Sequence, residues 1–281
     1  YMRERAYAKI NLCLDVVSHR EDGYHELRMI MAPIDFYDVM EMVRDDHLSI
    51  ALNRDYLPLD EKNTVIKAIR VMQKYDGISG QYACTLQKHI PTQAGLAGGS
   101  ADAAAALRII NRLENLQLSS QELIQRAKEV GSDVPFCVFN KPCLVQGTGQ
   151  ILEPFVCHPD FFVLLVKPRR GISTKAAFEA LDQQEYTHPD VYGMKKALMA
   201  QDFWGVVSHL GNSLVQVSMQ LVPEIREVKE QLTAFGFEGV LMSGSGSTVF
   251  GITRSHRLLL AACDQFRYRK YFTRMTRILS V

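Results

Sequence analysis

From Ala6 to Val17 apolar residues recur with a two-residue period, and His19-Arg20-Glu21-Asp22-Gly23 then breaks the run with a polar stretch ending in glycine. The pattern predicts a strand, a turn and a second strand. From Asn63 to Tyr75 the period changes: Val65, Ile66, Ile69 and Met72 fall on one helical face, and Asp76-Gly77 ends it. Gln81 to Gln87 predicts another strand. Ala101 to Leu113, dense in alanine and leucine, predicts a helix. Ser119 and Glu122 have the spacing of a capping box that opens a helix through Val130, closed by Gly131.

The pattern pauses over Pro154 to Pro159, and Phe161 to Val166 predicts an apolar strand. Helices are expected at Thr174 to Leu181, Gly193 to Met199 and Phe203 to Met219. Pro223 opens another, with Ile225, Val228, Leu232 and Phe235 on its buried face and Gly236 as its stop. Strands are expected on either side of a glycine turn between Val240 and Gly251, then a helix from Ser255 to Phe266 and a last strand from Tyr271 to Leu279. Strands and helices mix in both halves, without a repeat of roughly 20–50 residues. The expected class is α+β with two domains, residues 1–157 and 158–281.

The 281 residues, 47% of them hydrophobic, suffice for a sizeable core. Lys+Arg total 32 against 31 Asp+Glu, so no global field recruits nucleic acid or an anionic membrane, and the expected partner is a small molecule. The longest apolar runs fall far short of the roughly 18–20 residues that span a bilayer. The first residues lack the apolar core of a signal peptide. Six cysteines are scattered with no CxxC pair and no metal-ligand spacing, which reads as reduced thiols of a cytoplasmic protein.

Candidate chemistry concentrates in Pro91 to Ser100. Ala94, Gly95, Ala97, Gly98 and Gly99 let backbone approach a ligand, and the helix start that follows offers unpaired N–H groups and a positive dipole end. The combination suits phosphate. It is not Walker A, since no Lys-Ser/Thr follows the last glycine, nor GxGxxG, nor a nucleophile elbow, because Asp102 stands where the final glycine belongs. The plainer alternative is a tight strand-to-helix connection. Pleat alternation puts Tyr7, Lys9 and Asn11 on one face and Ala8, Ile10 and Leu12 on the other. Lysine chemistry alone makes the first of these a solvated outer face. Asp133, after Gly131-Ser132, is either a helix-end or turn aspartate or a carboxylate at the mouth of an apolar segment. Ser243 to Thr248 is either a hairpin turn or a second anion cradle, and Tyr24-His25 either packs and caps or contacts a ligand.

Taken together, Ala8-Lys9-Ile10-Asn11-Leu12, the stretch from Arg20 to Leu27, Pro91 with Gly95 to Ser100, Gly131 to Phe136 and Leu241 to Gly246 resemble, in order and spacing, the superfamily of galactokinase, homoserine kinase, mevalonate kinase and phosphomevalonate kinase, the GHMP kinases. Asp22-Gly23-Tyr24-His25-Glu26-Leu27 is similar to its branch acting on 4-diphosphocytidyl-2-C-methyl-D-erythritol. The match runs from near residue 6 to about 251. The resemblance implies an N-terminal ATP-binding domain of the ribosomal-protein-S5-domain-2-like kind and a C-terminal ferredoxin-like domain. It implies ATP-dependent phosphorylation of the 2-hydroxyl of that alcohol in the non-mevalonate isoprenoid pathway, with ATP and Mg2+ as cofactors.

By the same resemblance Lys9 and Asp133 are the catalytic pair, the carboxylate taking the hydroxyl proton while the ammonium favours the developing alkoxide. Pro91, Ala94, Gly95, Leu96, Ala97, Gly98, Gly99 and Ser100 would hold the ATP phosphates, with Asn63 and Lys88 lining the nucleotide pocket. Tyr24 and Phe178 would sandwich the cytosine and His25 read its polar edge. Asn11 and Thr174 would contact substrate, and Ser243 and Gly244 border its phosphates. Three features depart from the pattern: Ala101 replaces a second loop serine, Met31-Ala32-Pro33 replaces an aromatic and glutamine, and Ser247 stands where some relatives have proline. They keep open a related small-alcohol kinase with drifted specificity, or a non-catalytic ligand-binding relative.

Overall fold

The opening alternation folds as β1 (Met2–His19) and β2 (His25–Arg44), hydrogen-bonded neighbours. In the turn between them the Arg20 N–H donates to Tyr24 O and the Gly23 N–H to Arg20 O. Gly23 takes a φ of 89°, which a side chain would disfavour. The structure is a computed structural model describing residues 2–54 and 59–280. After β3 (Ser49–Leu52) come α1 (Thr64–Asp76), β4 (Tyr82–Gln87), α2 (Gly98–Leu113), α3 (Ser120–Lys128), α4 (Val134–Phe139), β5 (Cys143–Gly147) and β6 (Ile151–Pro154). Next are β7 (Phe162–Lys167), α5 (Thr174–Leu181), α6 (Val191–Met199), α7 (Phe203–His209), β8 (Gly211–Asn212) and α8 (Val215–Leu221). The chain closes with α9 (Glu224–Phe235), β9 (Gly239–Met242), β10 (Val249–Thr253), α10 (His256–Tyr268) and β11 (Phe272–Thr276).

These elements form two units that alternate along the chain. The first takes residues up to Ala8, Phe36–Pro91 and Ala97–Asn140; the second takes Lys9–Asp35, Thr92–Leu96 and the chain from Lys141 onward. Both β1 and β2 therefore contribute to each, and the second unit draws residues from both sides of 157/158.

In the first unit the later half of β2 pairs antiparallel with β4, Val39 opposite Gln87, and β3 runs parallel to β4. Helix α1 packs on α2, and α4 on both α2 and α3. The Asn63 side chain caps α1 by accepting from the Val65 N–H, and Gly77 ends the helix at a φ of 64°. The capping box of α3 is present in both directions. Helix α2 begins at Gly98 rather than Ala101, because Ala97 turns the backbone through a φ of 57° and the next three residues already take helical geometry. Its buried alanines, Ala101 and Ala103 to Ala106, let neighbouring helices come close.

In the second unit the first half of β2 pairs with β5, and β5 with β6. A separate antiparallel sheet has the order β11-β7-β10-β9, and α9 and α10 pack on it. With the stretch from α5 to α8 inserted after β7, the elements β7-α9-β9-β10-α10-β11 follow the β-α-β-β-α-β order of a ferredoxin-like domain. Helix α9 buries Ile225, Val228 and Leu232, as its periodicity predicts. The stretch from Phe203 to Met219 is not one helix. It breaks at Gly211-Asn212, which pair parallel with Cys13 and Leu14 of β1, while Ser213 Oγ accepts from the Val16 N–H and donates to Thr187 O. Bonds to a distant strand override local helix preference there.

All six cysteines are buried and unbridged. Burial, with Asp15 adding to it, pushes the Cys13 thiol up to about 12, and burial does the same for Cys84 and Cys143. Cys157 is raised to about 11 by the same cause. Among the described residues no helix is long and apolar enough to cross a membrane. With so little thiolate, the folded protein is expected to resist a thiol-reactive disulfide reagent at about pH 8 and to release its six thiols only on unfolding. Rapid labelling of native protein would contradict this burial.

Candidate active site

In the second unit the loop Thr92–Leu96 has its carbonyls tied down in succession. Gln93 O accepts from the Ser247 and Ile172 N–H groups, Ala94 O from the Thr248 N–H, and Leu96 O from the Lys9 N–H. Gly95 O accepts from Lys9 Nζ at 2.8 Å and from Ser243 Oγ at 2.9 Å. Ser243 Oγ accepts in turn from the Asn11 N–H at 3.2 Å, and Lys9 Nζ also donates to Asn11 Oδ1 at 2.6 Å. Lys9, Asn11, Gly95 and Ser243, separate signals in the sequence, thus form one cluster. Lys9 is 3% exposed and Asn11 1%. The solvated outer face expected for them is absent, because the loop and the turn after β9 cover that side of β1.

Close backbone approach makes glycine necessary here. Gly95 has a φ of 75°, and a Cβ on it would lie 2.0 Å from Ser243 O; one on Gly244, at a φ of 57°, would come within 3.3 Å of Lys9 Nζ. Asn212 Nδ2 holds the turn by donating to Met242 O and Gly244 O at 3.0 and 2.8 Å. Its distance in sequence hides this role. Thr174 Oγ1 lies 2.9 Å from Ser245 Oγ, next to Gly244.

His25 Nε2 lies 2.7 Å from Asp182 Oδ1. The His25 ring stacks on His19, centroids 4.5 Å apart, and meets Phe178 at 4.6 Å. Tyr24 is 64% exposed, so the structure brings Phe178 to His25 rather than to Tyr24. Sequence reasoning missed His19 and Asp182. The available signal was that Asp182 follows Phe178 by one helical turn, at the C-terminus of α5.

In the first unit, Gly98, Gly99 and Ser100 form the first turn of α2, whose N-terminus no side chain caps. Their N–H groups and the helix dipole favour an anion. Thr64 Oγ1 anchors the turn by donating to Gly99 O at 2.7 Å, one residue beyond the buried Asn63; Pro91 is half-buried. Lys88 Nζ lies beneath, where a Cβ on Gly98 would come within 3.2 Å of it. That ammonium is bracketed by Asp38 Oδ2 at 2.5 Å and Asp102 Oδ2 at 2.7 Å, all three groups nearly fully buried. Asp38 Oδ1 accepts from the His89 and Ile90 N–H groups as well. Burial opposes the charge on Lys88, but Asp102 and Asp38 outweigh it and hold the ammonium above its ordinary pKa. Burial drives the Asp102 carboxyl well above the usual range despite Lys88, because two carboxylates share one cation. Sequence reasoning missed both aspartates. Asp133 is half-buried in the turn at the start of α4, and its side chain makes no capping bond.

The first unit thus holds a helix start that no side chain caps and a helix-end carboxylate without a capping bond. The description "GHMP kinases N terminal domain" matches residues 63–141, and "GHMP kinases C terminal" matches 194–270. A 4-diphosphocytidyl-2-C-methyl-D-erythritol kinase of Geobacillus sp. (strain WCH70) is 40% identical over 270 residues, 93% of each chain. The chain belongs to the 4-diphosphocytidyl-2-C-methyl-D-erythritol kinase family. A crystal structure of 4-(cytidine 5'-diphospho)-2C-methyl-D-erythritol kinase superposes with a TM-score of 0.83 over 100% of both chains at 29% identity. Homoserine kinase from Cytophaga hutchinsonii, 18% identical, shares the fold with a TM-score of 0.73 over 97% of each chain. The two-domain GHMP kinase fold expected from the motifs is the one observed.

Three substitutions test how these residues are held. Lys88→Met strands two buried carboxylates and is expected to destabilise the protein by about 3–5 kcal/mol near neutral pH. The stranded carboxyls would have folded pKa values above their unfolded ones, so the deficit should shrink as pH falls through the raised values; urea melts across pH check this. Gly95→Ala meets both the left-handed φ and Ser243 O, and should lose at least about 2 kcal/mol. Gly99→Ala, whose Cβ would find Thr64 at an ordinary 3.5 Å, should fold normally.

Proposed function

We propose that this chain transfers the γ-phosphoryl group of ATP to the 2-hydroxyl of 4-diphosphocytidyl-2-C-methyl-D-erythritol, a step in non-mevalonate isoprenoid precursor synthesis. Family membership supports the reaction. On the chemical side the reading is carried by Lys9, an ammonium kept buried against the neutral oxygens of Asn11 and Gly95. A buried cation favours an alkoxide that forms beside it.

Asp133 accepts the hydroxyl proton and Lys9 steadies the oxygen as its charge grows. The loop from Pro91 through Ala94, Gly95, Leu96, Ala97, Gly98 and Gly99 to Ser100 holds the phosphates, chiefly through N–H groups at the start of α2. Mg2+, when bound with ATP, supplies further charge neutralisation, and Ser100 is the hydroxyl that Ala101 leaves to this turn. Asn63 caps the helix beside the loop, and Lys88 supports the loop from beneath. Tyr24 and Phe178 stack on the cytosine, His25 reads its edge, Asn11 and Thr174 contact the alcohol, and Ser243 and Gly244 border the diphosphate. The small-molecule substrate, near-neutral charge and six free thiols support a cytoplasmic enzyme without a nucleic-acid partner. Residues 1–157 serve as the nucleotide-binding segment and 158–281 as the C-terminal one.

ADP release with ATP, Mg2+ and the cytidine substrate, against mevalonate, phosphomevalonate and homoserine, tests the reading. Turnover confined to the cytidine substrate is expected. Lys9→Ala and Asp133→Ala should each lower kcat by roughly 10²–10⁴. Full activity in either variant would overturn the assignment of roles.

A further inference from the structure

His19, His25 and Asp182 bring imidazole nitrogens and a carboxylate within 4.8 Å of one another. The geometry disfavours a chelate. The rings lie parallel to within 7°, so their in-plane lone pairs run side by side instead of converging on one ion. What the cluster fixes is a proton. A carboxylate oxygen only accepts, so the His25 nitrogen 2.7 Å from Asp182 Oδ1, Nε2, is the one that carries hydrogen. In the neutral ring Nδ1 is then an acceptor.

The surroundings hold that orientation. His19 covers one face of the ring, Phe178 packs against it, and the His25 side chain is only 12% exposed. The other carboxylate oxygen, Asp182 Oδ2, faces His19 Nδ1 at 3.6 Å. Helix α5 supplies Phe178, and Asp182 follows at its C-terminal cap, so ring and carboxylate arrive together.

We propose that Asp182 is a positioning residue that pins the His25 proton at Nε2, making Nδ1 an acceptor and thereby selecting a base with an exocyclic amine over one with a carbonyl. The inference rests on the reading that His25 faces the edge of the base. Cytosine presents an amino donor that Nδ1 accepts. Uracil presents an oxygen there, and two acceptors meet with no hydrogen between them, a mismatch that polar sites reject strongly.

The test compares the cytidine substrate with the uridine-diphosphate-linked form of the same alcohol, and reads the His25 tautomer by 15N NMR on the whole protein. Wild type should show Nε2–H with Nδ1 unprotonated in the substrate complex and favour the cytidine form at least about 100-fold in kcat/KM. Asp182→Asn offers His25 either a donor or an acceptor, so both tautomers become accessible. Discrimination should fall about tenfold or more, the loss lying in KM for the cytidine substrate rather than in kcat. An Nδ1–H tautomer in wild type, or unchanged discrimination in Asp182→Asn, would overturn the proposal. Nε2–H in a protein that turns over neither substrate would instead overturn the reading of function that the proposal rests on.

Discussion

One carbonyl, that of Gly95, must be reached from two sides at once. Lys9 approaches it as a charged donor and Ser243 as a hydroxyl donor, and Ser243 in turn receives the Asn11 N–H. The backbone of residue 95 must also lie where any side chain would strike Ser243 O. From this one requirement follow the glycine, the serine and the register of β1 that turns Lys9 inward. A hydrogen bond to a charged group returns about 1.5–3 kcal/mol, whereas burying an ammonium costs several. The cluster is therefore poorly explained as a stabiliser and well explained as a holder of charge.

Lys9 and Lys88, two of the buried lysines, sit among different acceptors. Around Lys88 two acidic side chains bracket the ammonium, so the group acts as a strut under the start of α2. Around Lys9 two of the acceptors are neutral oxygens, the Asn11 amide and the Gly95 carbonyl, which orient the ammonium. Amino-acid type does not separate these cases; the partners do.

Much of the fold was legible because helix periodicity is local. The faces of α1 and α9, the capping box of α3 and the ends of α5 could be read from spacings within a single element. Failures came where a partner lies far away in sequence. Residues 203–219 carry helical spacing, yet β1 claims Gly211 and Asn212. Alternation assigned Lys9 and Asn11 correctly to one face of β1 but could not say that a loop and a turn cover it. The glycine loop and Lys9 were visible as candidates from residue type, while Asp38, Asp102 and Asp182 acquire meaning only beside Lys88 and His25. Short strands such as β3 and β6 hold too few residues for a period to register.

The alternation of the two units along the chain also shapes how the protein is made. In the second unit β1 draws its parallel partner from Gly211-Asn212, and the loop at 92–96 is fastened by Ser243, Ser247 and Thr248. Residues 9–35 leave the ribosome long before those partners exist. At about 5–20 residues per second, the wait for Gly211 and beyond is roughly ten to forty seconds. Through that interval apolar strand edges stand open, so the nascent chain, rather than the finished enzyme, is the form most dependent on chaperones.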